Sequence, residues 1–236
     1  MEKIVYVLWR DSRSAEQEFA ELLRIEVAPR LVAAGARGVR LSVADEVVRP
    51  AAALRQANTQ PAIDGLLSLW VDSAIERFRR PFDDLVEAAA GRLAAYLVTE
   101  SQPIVNTRHP PVAGERTTGF TQLAFLRRPL RLTHEAWLDI WHNHHTQVAI
   151  ETQDTFEYVQ NVVVRSLSHD APGFDAIVEE SFPTTAMTDP QVFFDAAGDE
   201  ARLQRHVREM MASCARFIDF DAIDVVPASQ YVIKPA

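Results

Sequence analysis

The chain has 236 residues, 47% of them hydrophobic and 24% charged, enough apolar matter for one large domain or two of ordinary size. Its formal net charge of −9, with no basic stripe, argues against a nucleic-acid or anionic-membrane partner, because phosphates attract basic surfaces. A single cysteine, Cys214, rules out an internal disulfide; no apolar run approaches the ~20 residues of a membrane helix, and a cytoplasmic location is expected.

In chain order, residues 4–10 read as a first strand, without the basic flank or small-residue cleavage site of a signal peptide. A polar turn leads into a helix opened by Ser14, Ala15 and Glu16. Strands over 39–48 and 63–71, a helix over 81–93 and a strand over 99–105 follow. The polar stretch 106–116, punctuated by Pro110, Pro111 and Gly114, reads as a linker. Past it the same order returns. A strand over 120–128 precedes a helix with Thr133 as N-cap, then come strands over 156–166 and 174–182, a helix over 199–215 and a strand over 228–233. A shift of 118 residues sets Trp137 on Phe19, Ile140 on Leu22, Trp141 on Leu23 and His145 on Val27. The stretch 63–71 matches 174–182 position by position. Asp64 and Asp175 are equivalent there and are expected to serve a turn or cap, since Asp64 sits in the half without the histidine.

Each half thus reads β-α-β-β-α-β, the ferredoxin-like order. Four antiparallel strands with both helices on one face leave the other face apolar, and two such units can cover each other. The expected fold is α+β: tandem ferredoxin-like repeats over 1–107 and 118–236, packed sheet to sheet as an α+β barrel within one chain.

Chemistry concentrates in the second half. Trp137, Trp141, His145 and Val148 share one helix face, and His142, His144 and His145 crowd its expected end, where the partial negative charge of a helix C-terminus favours protonated imidazole. His145 is the first candidate for general acid or base. His142 lies near the same face, and His144 points about a hundred degrees away, toward solvent. Tyr158 on the next strand offers a hydroxyl. Glu179 and Glu180 point to opposite sheet faces, and Glu179 is the candidate partner for His145. Trp141, Phe182 and Gln122 are candidate substrate contacts. Cys214 reads as a buried thiol and not a nucleophile. With no nucleophile elbow, Walker loop or dinucleotide fingerprint, no nucleotide cofactor is expected. A metal ion on His142 and His145 would need further ligands from Glu179, His109 or Asp175, and nothing in the spacing demands them.

Several of these features recur in order: Trp141-x-x-x-His145 followed by Thr146-Gln147-Val148, then Tyr158, the strand Asp175-Ala176-Ile177-Val178-Glu179 with Phe182, Arg216-Phe217-Ile218-Asp219, and the closing Tyr231-Val232-Ile233. In this pattern the second half resembles the EthD family of the dimeric α+β-barrel superfamily. The first half keeps Ala28-Pro29-Arg30-Leu31 but has Val27 in place of the histidine, and Gln147 stands where relatives commonly carry proline. The resemblance implies a cofactor-independent, lyase- or dehydratase-type enzyme using His145 on a hydrophobic aromatic or polyketide-like small molecule. It leaves open a cofactorless monooxygenase and a non-catalytic small-molecule or haem-binding protein. A homodimer is a further expectation, being common in such folds.

Overall fold

The computed structural model describes residues 1–236. Its first half holds β1 (Glu2–Trp9), α1 (Glu16–Glu21), a π-helical stretch (Leu22–Val27) running into α2 (Ala28–Ala33), β2 (Gly38–Val43), β3 (Gly65–Val71), α3 (Glu76–Glu87) and β4 (Arg92–Ile104). The second holds β5 (Phe120–Leu126), α4 (His134–Asp139), another π-helical stretch (Ile140–His145) running into α5 (Thr146–Thr152), and β6 (Glu157–Ser166). After these come β7 (Ala176–Phe182), α6 (Pro190–Phe193), α7 (Glu200–Phe217) and β8 (Asp224–Lys234). No helix is long and apolar enough to cross a membrane.

The eight strands close an antiparallel barrel in the order β1-β3-β2-β8-β5-β7-β6-β4, an α+β fold with helices outside. The halves do more than stack. β2 pairs with β8 and β4 with β6, so the last strand of each half hydrogen-bonds to the second strand of the other. Closure leaves no strand edge free. It also explains the near-continuous apolar strands: one face lies under helices and the other fills the barrel. Every residue from Ile4 to Trp9 is buried. Tyr6, Leu41 and Leu67 pack beneath the first-half helices, and Val7, Trp9, Phe125 and Ile177 fill the barrel. Trp137, Trp141, Met210 and Phe217 pack over the second half of the sheet.

Local chemistry accounts for the joints. Asp64 accepts a hydrogen bond from the Arg10 amide at 2.9 Å, and Asp175 accepts one from the equivalent Arg128 amide at 2.7 Å. Thr133 caps α4 by accepting from the Ala136 amide at 3.2 Å. Gly119 enters β5 at φ 91°, where a Cβ would run into the Phe182 carbonyl. The 106–116 linker is pinned along β8, with the Gly114 amide donating to the Val232 carbonyl at 2.9 Å.

Among the elements that differ from the sequence expectation, four bear on the site and its frame. The second strand stops at Val43, because Asp45 accepts from the Val47 and Val48 amides and turns the chain into a 3-10 helix, Glu46–Leu54. Pro81 lies inside α3 and does not start it, so that helix begins at Glu76. Leu93 and the residues after it belong to β4, which is longer than expected. The helix bearing the imidazoles does not end at His145; it continues through α5 to Thr152.

Candidate active site

Between the sheet of the second half and the π-helical stretch Ile140–His145, α6 and α7 lies a chamber of about 230 Å³, lined mostly by apolar side chains. Its floor is a polar row set by strand register. Glu180 on β7 stands directly opposite Gln122 on β5 and Tyr158 on β6, and all three line the chamber. Its helical wall brings Trp141 and His145, and α7 adds Met210, Cys214 and Phe217.

His145 is buried, its ring 4.6 Å from that of Phe217. Its Nδ1 lies 2.9 Å from the Ser213 hydroxyl, which leaves Nε2 without a protein partner. Burial, helped by the Arg216 charge, lowers its pKa to about 4. The imidazole is therefore neutral at pH 7, contrary to the cation expected at a helix end; the helix does not end there. Desolvation acts on Glu180 as well, raising its pKa to about 7 with no cation near enough to oppose it, so a large share of this carboxyl keeps its proton at neutral pH. The Tyr158 hydroxyl accepts from Trp141 Nε1 and Gln160 Nε2, both at 3.1 Å, which leaves its own proton to donate. Burial pushes the Cys214 thiol up to about 12, so it is no thiolate at neutral pH.

Of the sequence candidates, the structure brings His145, Tyr158, Trp141 and Gln122 together here. Glu179 is elsewhere. It points into the barrel, where it meets Lys3 Nζ at 3.3 Å and Asn161 Nδ2 at 3.1 Å, and these partners hold its pKa below the usual carboxylate range despite burial. The carboxyl facing His145's chamber is its neighbour, Glu180. His142 does not line the chamber; its ring lies 4.7 Å from that of Trp141. Phe182 is one ring removed, stacked on the chamber residue Phe193 at 4.3 Å. His144 is exposed, 3.6 Å from Asp139. No three His, Cys, Asp or Glu side chains gather as a metal set.

The first half supplies a control within the same molecule. Its ladders place Leu69 between Ile4 and Val39, as Glu180 stands between Gln122 and Tyr158. Val27 holds the place of His145, and all four first-half residues are buried in one apolar cluster. The fold is thus built at these positions without polar groups, whose burial costs stability. The second half carries them at that cost. Sequence reasoning set Glu179 and Glu180 on opposite faces but chose Glu179, and it missed Gln56, a first-half residue that reaches the chamber by pairing its backbone with Val225 at 3.0 and 2.9 Å. The strand ladders decide between the two glutamates, and they are a property of the folded chain.

Residues 130–221 match the EthD domain family. No curated protein matches the chain. Among solved structures, an anthrone oxidase-like protein is similar over 98% of this chain and 93% of its own, at TM-score 0.57 and 9% identity. A candidate monooxygenase from Fusobacterium nucleatum subsp. nucleatum is similar over 99% and 92%, at TM-score 0.51 and 10% identity. At such identities the likeness is one of fold. The match to the EthD domain family thus falls within the second half of an α+β barrel that the first half completes.

Proposed function

We propose that the chain is an enzyme that transfers protons on a hydrophobic, ring-bearing molecule whose reacting ring fits the chamber, with His145 as base and Glu180 as acid. The observation that carries this is the row Gln122–Glu180–Tyr158 beneath His145, polar where the equivalent first-half residues are all apolar. A cavity of ~150 Å³ holds benzene, so a chamber of about 230 Å³ suits one or two rings. That is smaller than a large polyketide.

Nε2 of His145 takes a proton from carbon, and Gln122 and the Tyr158 hydroxyl hydrogen-bond the substrate's oxygen atoms. In an elimination, the C–H electron pair becomes a new C=C bond. The departing hydroxyl leaves with the Glu180 proton as water. A base and a carboxyl that keeps much of its proton at neutral pH, in one largely apolar chamber, favour this lyase-type outcome. The second reading passes the same carbanion's electrons to dioxygen, and the names of the two similar proteins, an oxidase-like protein and a candidate monooxygenase, favour it.

Turnover of hydroxylated one- and two-ring compounds, followed by product NMR with an oxygen electrode, tests both. No oxygen uptake with loss of water from the substrate fits elimination, whereas stoichiometric uptake replaces it with oxygenation. His145→Gln keeps a polar group near Ser213 and should lower turnover by about 10²–10⁴-fold; full activity in that variant would remove His145 from the chemistry.

A further inference from the structure

We propose that the substrate is elongated: its reacting ring sits in the chamber, and an apolar chain or second ring attached to it lies in an adjoining cleft. This deepens the chamber reading and depends on it. The cleft, of about 360 Å³, runs between the 3-10 helix Glu46–Leu54 of the first half and α6 of the second. Pro50, Ala53 and Leu54 form one side, and Met187, Phe193 and Phe194 form the other.

Cleft and chamber share two walls. Phe193 and Phe194 line both spaces. The segment that lines the cleft at Leu54 reaches the chamber two residues later at Gln56. A molecule extending out of the chamber along Phe193 and Phe194 stays against apolar surface. Phe193 is pinned by stacking on Phe182 with 17° between the rings, and half-buried Phe194 packs edge-on against it at 5.1 Å. The volume suits a small-molecule appendage, in the ~300–1,000 Å³ range of ligand pockets. It also gives the first half a role: lacking the histidine, it supplies one wall of the specificity cleft.

Calorimetric titration of the full chain with 4-alkylphenols, from ethyl to hexyl, tests this. Kd should tighten by about fourfold per methylene once the chain enters the cleft. Ala53→Trp, filling the cleft from an exposed position, should abolish the gain for 4-hexylphenol and leave the Kd of 4-ethylphenol unchanged. A Kd indifferent to chain length, or a gain that survives Ala53→Trp, overturns the cleft proposal and leaves the chamber reading standing. Failure of every member to bind overturns both.

Discussion

Moving an imidazole out of water favours its neutral form, and moving a carboxyl out of water favours its neutral form too. For His145 and Glu180 the consequences for stability therefore run in opposite directions. The His145 pKa falls to about 4 from 6.5, so stability present above pH 6.5 is lost as pH falls toward 4 and the unfolded chain takes up the proton first. The Glu180 pKa rises to about 7 from 4.5, so stability present below pH 4.5 is lost as pH rises toward 7. Each is worth about 3 kcal/mol at most, and across the shared window they nearly cancel. Denaturant midpoints between pH 4 and 8 should show this. Glu180→Gln should gain stability with rising pH, and His145→Gln should lose it. Two variants that track the native chain's pH dependence would show that neither group is held neutral. Which of the two glutamates faces the chamber was not legible in the sequence. Every residue of β7 is buried, so alternation of polar and apolar residues carries no sign of inside or outside.

A helix with 3.6 residues per turn and one with a π turn both place Trp137, Trp141 and His145 on a common side, so the spacing could not distinguish them. The structure has π-helical stretches at Leu22–Val27 and Ile140–His145, equivalent positions in the two halves. In the second half the Trp141 carbonyl accepts from both the amide of Thr146 and its hydroxyl, the latter at 2.9 Å. The same hydroxyl accepts from Gln160 at 2.8 Å, and Gln160 also donates to Tyr158. Thr146→Val removes the hub of this network. Equilibrium unfolding should register a loss of about 1–2 kcal/mol, and 4-ethylphenol should bind more weakly. A variant equal to the native chain in both would mean the hydroxyl plays no part in holding the wall. The 3-10 helix Glu46–Leu54 was hidden for a different reason: Val47 and Val48 look like strand residues, and the single cap at Asp45 redirects them.

For the whole molecule, the four-strand pattern of each half was readable from its repeated order. The β2–β8 and β4–β6 seams were not, since edge pairing leaves no local signature. The seams enclose charge as well as apolar bulk. Lys3 of β1 reaches Glu100 at 2.5 Å, Asn161 at 2.8 Å and Glu179 at 3.3 Å, and Arg40 of β2 lies 3.4 Å from Glu157. Most of these contacts cross between halves, so they fix how the two sheets meet. Lys3→Met would leave the buried Glu179 carboxylate with Asn161 and the more distant Arg40, 3.9 Å away, and should cost about 3 kcal/mol in denaturant unfolding. The double variant Lys3→Met, Glu179→Gln should recover much of it. A single variant of unchanged stability would show that the interior charges do not hold the halves together.

The chamber itself can be tested before any substrate is known. In a carbon-13 NMR titration of the Glu carboxyls, with the Glu180 signal assigned by its loss in Glu180→Gln, that carboxyl should titrate near pH 7. Its midpoint should move when 4-ethylphenol is added. Titration near the ordinary 4.5, indifferent to the phenol, would place Glu180 in water and leave His145 without an acid across an apolar chamber.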